Sequence, residues 1–263
     1  MKYVTKSYEE LSFTDDFMFC KIMTANPDLC QELLELILQL KIRRIEFPEA
    51  QKEIRHTFDS KGIRMDVYVE DDENTVYDIE MQTTVRPDLA KRIRYYQGMI
   101  DLNLISTGKR YRELKQTYII FLCTDDPFGR NLPIYHFANI CREDRTLELS
   151  DEANKVIINA NGNRGGLSKE MTAFLDYLRS SRIGDDFTER LQKQVERNRI
   201  HEEWRQDYMT WAMELEDIRD DLREDKEFRE EIKKEIQIDF DQKLKEKDKE
   251  IALLKAQLAA QKA

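Results

Sequence analysis

The sequence predicts an α/β domain over roughly residues 1–180, followed by a helical tail over residues 185–263. Residues 14–40 carry apolar side chains at helical spacing, which is typical of helices that pack against a core. Later segments either alternate apolar and polar residues or are apolar throughout, as β-strands do. The chain has neither glycine nor proline after Gly184, so nothing in the tail needs to break a helix.

The individual elements follow from capping residues and turn signals. Thr14 or Asp15 before FMFCKIM and Asn26 before Pro27 are helix-start signals, so two successive helices are predicted. The residues EDDEN favour a turn and would join the strands on either side of it as a hairpin. A further helix is predicted to open at Pro87 and Asp88. The predicted strands cover residues 54–58, 63–69, 75–82, 117–123, 134–139 and 155–161.

Composition and charge argue against several classes of protein. The formal net charge is −10, so bulk charge does not steer the chain towards phosphate, and a nucleic-acid site would need a local basic patch. The four cysteines form no C-x₂-C pair, which argues against zinc. We find no signal peptide and no apolar run near the roughly 18 residues of a membrane span. A cytoplasmic protein without a membrane segment is the expectation.

The strand YDIEMQ places acidic and amide side chains on one face. Glu80 and Gln82 alternate with apolar residues, and Asp66 lies on the preceding strand. A hairpin register that pairs residues of equal parity puts Asp66 opposite or diagonal to Glu80, whereas a one-residue slip separates them. Two carboxylates on one face suit Mg²⁺ or Mn²⁺ better than zinc. The alternative is that these residues form the exposed polar face of a half-buried hairpin.

Several sequence blocks occur together in an order that resembles a known family. They are TDDFMFCKIM, IRMDVY, a strand ending in IEMQ, RIRYYQGMIDLNLI and YIIFLCTDDPFG. This order resembles the recombination-promoting nuclease/transposase group (the Rpn family) within the PD-(D/E)XK nuclease superfamily. The likeness runs from about residue 14 to residue 162, and more loosely to residue 209. It implies a restriction-endonuclease-like core, in which helices flank a mixed central sheet.

The resemblance also implies roles for individual residues. Asp66 and Glu80 would be the two metal-binding carboxylates, and Gln82 stands where the superfamily more often has Lys. Glutamine lacks the charge of lysine, and it could place a water or a phosphate oxygen but could not act as a base.

Five further residues are supporting candidates. Asp16 and Lys21 belong to the first helix block, and Glu35 on the second helix would be a third acidic neighbour. Arg92 and Tyr96 are four residues apart and share a helix face, from which they could contact a scissile phosphate or orient Glu80. The alternatives are helix capping or surface charge for the first three residues. For Arg92 and Tyr96 the alternative is a core tyrosine beside a surface arginine.

Together these features predict a Mg²⁺-dependent DNA endonuclease in which Mn²⁺ can substitute, with Asp66, Glu80 and Gln82 as its catalytic residues. A recombination or transposase-like role is implied by the resemblance alone. Two alternatives stay open: a weak or inactive nuclease fold that binds DNA or regulates, and an assembly protein that acts through its C-terminal helix. Apolar residues from about residue 237 follow a short heptad pattern, which would allow a coiled-coil homodimer.

Overall fold

The structure is a computed structural model, and it describes residues 6–46, 48–54, 62–105, 107–213 and 216. The chain divides into two units, residues 1–205 and residues 206–263. In the second unit, residues 206–213 and 216 are helical. The predicted coiled coil from about residue 237 lies outside the described residues.

A mixed β-sheet forms the centre of the first unit. Its strands are β1 (Glu49–Ile54), β2 (Ile63–Glu70), β3 (Val76–Gln82), β4 (Thr117–Cys123), β5 (Ile134–Phe137) and β6 (Ala153–Asn159). Within the described residues the sheet has six strands in the order β1-β2-β3-β4-β6-β5. The pairs β1–β2, β2–β3 and β5–β6 are antiparallel, whereas β3–β4 and β4–β6 are parallel. The hairpin β2–β3 therefore supplies the antiparallel half of the sheet next to its parallel centre.

Helices flank this sheet. They are α1 (Asp16–Ala25), α2 (Pro27–Leu38), α3 (Leu89–Leu104), α4 (Lys169–Ser180) and α5 (Asp186–Arg199). Parallel neighbours need a crossover connection, and α3 supplies it between β3 and β4. Ile93 and Tyr96 of α3 belong to the same buried cluster as Phe121 of β4 and Ile157 of β6. This packing fixes α3 over the face of the sheet to which the even-numbered residues of β3 point.

The observed architecture confirms the predicted α/β core. Strand β1 (Glu49–Ile54) was not predicted, whereas of the strand predicted over residues 54–58 only Ile54 lies within the described part, so that strand stays a prediction. The sequence EAQKEI buries only Ile54 fully, since β1 is the edge strand of the sheet. An edge strand with so little buried surface shows no clear apolar alternation, so its pattern could not be recognised.

The stretch that was predicted to begin the helical tail includes α5. Arg190 Nη2 forms an ion pair with Glu32 of α2 at 2.6 Å. The Tyr8 hydroxyl donates a hydrogen bond to the carbonyl oxygen of Asn198 at 2.6 Å. The division of the chain between residues 180 and 185 stays a prediction. Within the described part, none of the helices combines the length and the apolar character that crossing a membrane requires.

Candidate active site

The β2–β3 hairpin brings two carboxyl groups together where its ladder stops. Val67 pairs with Ile79, and the same register places Asp66 opposite Glu80. At that position side chains replace the regular backbone bonds. The N–H of Asp66 donates to Glu80 Oε1 at 3.0 Å, and the N–H of Met81 donates to Asp66 Oδ2 at 2.9 Å. The equal-parity register is confirmed, and the two carboxyl groups are inserted into the space between the strands.

The polar residues of β3 are deeply buried. All seven residues of the strand are buried, and Asp78 and Glu80 are both 0% exposed. Gln82 is 7% exposed. The alternative interpretation of an exposed polar face is therefore wrong for β3. Burying a carboxyl group is unfavourable unless it has a partner, so each of these groups has to be explained by what it contacts.

Arg92 is the cation that meets these side chains. Its Nη2 atom donates to Glu80 Oε2 at 2.5 Å, and its Nη1 atom donates to Gln82 Oε1 at 3.0 Å. Its Nε atom donates to the hydroxyl oxygen of Tyr96 at 3.1 Å, and that hydroxyl donates to the carbonyl oxygen of Arg64 at 3.2 Å. Helical spacing puts Arg92 and Tyr96 on one face of α3, above β3. The structure thus brings both residues to Glu80 and Gln82.

Both ends of the Gln82 amide are engaged. Its oxygen accepts from Arg92, and its nitrogen donates to the carbonyl oxygen of Thr84 at 2.7 Å. The amide is therefore held between the helix and its own loop. In this arrangement Gln82 orients the guanidinium of Arg92.

The buried acids have strongly shifted titration. Burial raises the pKa of Glu80 well above its usual range, the nearby Asp78 adds to the rise, and Arg92 opposes it. Burial also raises the pKa of Asp66, and the charges of Glu80 and Asp16 raise it further. These carboxyl groups are too close to ionise independently, so a cation at the site would favour their charged forms.

Asp78 is a site residue that the sequence analysis did not single out. It lies two residues before Glu80 on the same face of β3 and is completely buried. Burial, followed by the charge of Asp66, raises the pKa of Asp78 well above its usual range. The signal in the sequence was the D-x-E-x-Q alternation, which puts three polar side chains on one face of a strand whose other face is apolar.

The two supporting candidates on α1, Asp16 and Lys21, lie in different surroundings. Asp16 lies near the site at the start of α1: desolvation and then Asp15 raise its pKa, although much of its surface is exposed. Lys21 instead lies 5.6 Å from the ring centre of Phe17 and 5.7 Å from that of Trp204.

Glu35 is not a third acidic neighbour of the site, which corrects the expectation. Its Oε2 atom pairs with Lys41 at 2.6 Å, and its Oε1 atom accepts from the N–H of Ile42 at 3.0 Å. Its role is to fasten the chain that follows α2.

The site residues can be tested for their fit to a divalent metal. Asp66, Asp78 and Glu80 offer only oxygen atoms, which is the donor set that Mg²⁺ and Mn²⁺ prefer. Both oxygens of Asp78 are buried and accept no hydrogen bond from a donor in the described part, and the side chain is hydrogen-bonded to the neighbouring carboxyl group of Glu80. As the described side chains stand, no three His, Cys, Asp or Glu are arranged to hold an ion. Arg92 holds one oxygen of Glu80, so a cation must share or displace that contact.

A mixed sheet, a crossover helix and carboxylates at the open end of a hairpin define an α/β core of the PD-(D/E)XK type. The chain matches the profile of the family described as PD-(D/E)XK nuclease family transposase over residues 13–176, and it belongs to that family. The predicted resemblance is confirmed, and it makes the chain a nuclease-type protein. Among curated proteins nothing matches the chain. Among solved structures nothing matches it either.

Proposed function

We propose that the chain is a Mg²⁺-dependent DNA endonuclease that hydrolyses phosphodiester bonds, with Mn²⁺ as a substitute cation. The observation that carries this proposal is the single bonded cluster formed by Asp66, Glu80, Gln82 and Arg92. It combines two carboxyl groups that can hold a metal with a guanidinium that can hold a phosphate. Membership of a nuclease family supports the same reaction class.

Asp66 and Glu80 hold the cation in this proposal. When bound, the cation polarises a phosphoryl oxygen and lowers the pKa of a coordinated water. The oxygen of that water would form a bond to phosphorus as the ester P–O bond opposite it breaks, and the proton that the water loses would pass through solvent to the departing oxygen. Glu80 is fully buried and Asp66 is partly buried, which limits bulk water around the site and strengthens the interaction of both groups with charge.

Arg92 supplies the positive charge that glutamine at position 82 cannot. Four of its five N–H groups donate to Glu80, Gln82 and Tyr96, so one N–H of Nη1 is left for a phosphate oxygen, and a two-bond contact with phosphate requires the release of one of these partners. Gln82 and Tyr96 are positioning residues, because each is bonded to Arg92. Arg92 is part-buried, with 29% of its side chain exposed, so one side of it can be reached from solvent.

A local basic surface can bind DNA in spite of the acidic whole. Arg86, Lys91 and Arg94 are exposed around the start of α3, close in sequence to Arg92. Contacts from such residues to phosphates position a duplex without reading its sequence. We further propose that the chain acts in recombination or transposition, that it is cytoplasmic, and that it forms a homodimer through its C-terminal helix.

The proposal is tested by nicking of supercoiled plasmid with the purified full-length chain in Mg²⁺, in Mn²⁺ and in EDTA. Asp66→Asn and Glu80→Gln are expected to reduce cutting at least a hundredfold, because each removes one metal-binding carboxylate. Glu70→Gln is the matched control. It is an acid-to-amide change on the same strand as Asp66, at a residue that pairs with Lys115. This variant should cut plasmid as the wild type does.

Circular dichroism must first show that all three variants are folded. Cutting that needs the metal and is lost only in the two site variants supports the nuclease. If the wild type cuts in neither cation, the fold instead serves binding or regulation. The contact between Arg92 and Glu80 would then be the resting state of a site that performs no hydrolysis.

A further inference from the structure

A groove between α3 and the outer strands β5 and β6 lies apart from the candidate active site. Helix α3 lines this groove with Ile93, Arg94 and Gln97, whereas it contacts the buried carboxyl groups through Arg92 and Tyr96. The volume of the groove is about 630 Å³, which falls within the roughly 300–1,000 Å³ of small-molecule sites. The groove therefore has the size of a ligand site, and nothing derived for the carboxyl cluster explains it.

Aromatic rings line one side of the groove and are held in place by hydrogen bonds behind them. The ring centres of Phe128 and Phe137 are 5.2 Å apart, and Tyr135 packs against Phe128 at 4.9 Å. Asp126 Oδ1 accepts from the hydroxyl of Tyr135 at 2.7 Å and from the N–H of Phe128 at 3.0 Å. Phe137 nevertheless stays 46% exposed. A fixed aromatic surface that is open to solvent offers stacking to a ligand at a small cost in side-chain ordering.

Two cationic side chains line the same groove and pair with no carboxylate of the described residues. Lys155 of β6 is partly buried, and its ammonium donates to the carbonyl oxygen of Ala153 at 2.6 Å. Arg94 is exposed and forms neither a hydrogen bond nor an ion pair within the described part. Both cations are therefore available to an anionic group in the groove, to which charge-assisted hydrogen bonds are strong.

Two acids in the lining add hydrogen-bond acceptors. Asp101 Oδ1 accepts from Gln97 Nε2 at 2.8 Å, and its second oxygen accepts no bond from the described residues. Asp151 Oδ2 accepts from Asn139 Nδ2 at 2.6 Å. A ligand that complements the whole groove thus combines a flat apolar ring, one anionic group and hydrogen-bond donors.

We infer that this groove binds a nucleotide, with the base stacked on Phe137 and the phosphate held by Arg94 and Lys155. A base is a flat ring system, a phosphate is the anion that such cations bind, and the sugar hydroxyl and base amino groups donate to carboxylates. A free nucleotide and an unstacked nucleotide of a nucleic-acid strand share this chemistry. The inference goes beyond the proposed hydrolysis, because binding in the groove requires neither the cation nor the carboxyl groups of Asp66 and Glu80.

The experiment measures binding to the full-length chain in EDTA, where metal-dependent cutting is absent. Deoxyadenosine monophosphate is titrated by calorimetry, and a fluorescent single-stranded oligonucleotide is titrated by anisotropy. Phe137→Ala is expected to weaken binding at least about fivefold, because it removes one stack between a base and an aromatic ring. Deoxyribose phosphate, which lacks the base, should bind the wild type more weakly by a similar factor. Combining Arg94→Gln with Lys155→Gln should lower the affinity and reduce its dependence on salt.

Leu102→Ala is the matched control, because Leu102 lies on α3 outside the groove and is 48% exposed, much as Phe137 is. It should bind both probes as the wild type does. A loss of affinity in Phe137→Ala alone supports the inference, and the probe that is lost identifies a free nucleotide or a strand as the source. If the wild type binds neither probe, or if the two variants behave alike, the inference is overturned. Metal-dependent cutting by the wild type would still support the proposed nuclease in that case.

Discussion

At the scale of single residues, the positive charge of the site belongs to Arg92 on α3 and not to position 82. Arg92 Nη1 lies 3.0 Å from Gln82 Oε1, so the guanidinium already occupies the surroundings of position 82. We expect Gln82→Lys to lower the stability and the cutting rate, although it introduces the residue more frequent in the superfamily. The reason is repulsion between the new ammonium and Arg92 in a buried place. Chemical denaturation and plasmid nicking measure the two effects.

A compensating change distinguishes charge repulsion from a simple steric effect. Combining Gln82→Lys with Arg92→Gln keeps one positive charge in the cluster. We expect the double variant to recover part of the stability that Gln82→Lys loses, which a double-mutant cycle would show as a favourable coupling between the positions. Additive losses would mean that repulsion is not the cause.

Arg92 also balances the charge of Glu80. We expect Arg92→Met to reduce the free energy of unfolding by about 2–3 kcal/mol at pH 8, somewhat less than the roughly 3–5 kcal/mol for breaking a fully buried pair, because Arg92 is partly exposed. The loss should shrink at pH 5, where Glu80 can take up a proton. Lys91→Met, an exposed neighbour on the same helix, should change stability by less than about 0.5 kcal/mol. Equal losses at both pH values would contradict the role given to Arg92.

Local spacing was enough to find several site residues. Alternation along β3 placed Glu80 and Gln82 on one face, and helical spacing paired Arg92 with Tyr96. Lys21 and Glu35 could not be judged in this way, because the direction in which a helix face points depends on what the helix packs against. Asp78 was missed because the D-x-E-x-Q alternation shows only which strand face it shares, whereas the burial of its carboxyl group is a tertiary property.

At the scale of elements, the connection between β6 and the loop that follows it depends on a close approach of two backbones. A Cβ atom on Gly162 would meet the backbone of Pro133, with its nitrogen at 2.6 Å. We expect Gly162→Ala to reduce the free energy of unfolding by about 1–3 kcal/mol, the usual cost of overpacking. Denaturant unfolding measures the change.

Gly98 provides the matched control for this prediction. It lies within α3, and a Cβ atom there would meet nothing within 4 Å. Gly98→Ala should therefore stabilise the protein by about 0.5–1 kcal/mol through the better helix propensity of alanine. If both glycine variants change stability in the same direction, the close approach to Pro133 is not what limits position 162.

Elements with a strong local signal were predicted well. Strand β4 is apolar along its length because both of its faces are covered, and its predicted bounds match those observed. Strand β1 was not recognised because an edge strand buries too little surface to impose a pattern. The difference is physical, since burial is what selects the residues that make a strand recognisable.

At the scale of the whole molecule, the buried acids should make stability depend on pH. The folded-state pKa values of Asp66, Asp78 and Glu80 are raised, so the folded protein binds more protons than the unfolded chain. Their contribution is fully present below the unfolded values near pH 4 and is lost as pH rises through the folded values. We therefore expect the metal-free protein to be less stable at pH 8 than at pH 5.

Denaturant unfolding in EDTA at several pH values measures this dependence. Acids with a lowered pKa, such as Glu70, act in the opposite sense, but their contribution changes only below about pH 5. Asp78→Asn should flatten the decline between pH 5 and pH 8. Adding Mn²⁺ at pH 8 should restore stability, because a cation that binds only the folded state stabilises it. A pH profile that is flat in EDTA would contradict the titration behaviour described for the site.

The family and the α/β class were predictable because several sequence blocks between about residue 14 and residue 162 agree with one another, and the family profile matches residues 13–176. The way in which the carboxyl groups are held was not predictable, because it depends on backbone groups that a sequence does not display. Glu80 and Asp66 take the place of ladder acceptors in the hairpin, and nothing in the residue types alone requires this.

The use of side-chain carboxylates as acceptors in the β2–β3 ladder has a consequence for amide hydrogen exchange. The amide protons of Asp66 and Met81 are held by carboxylate oxygens instead of carbonyl oxygens. A ligand that binds either carboxylate, or a proton that neutralises it, must therefore change the rate at which these two amides exchange with deuterium. The amides of the regular ladder keep their own rates. The exchange rates of these two amides therefore report whether the site is occupied, and they can be measured without substrate and without turnover.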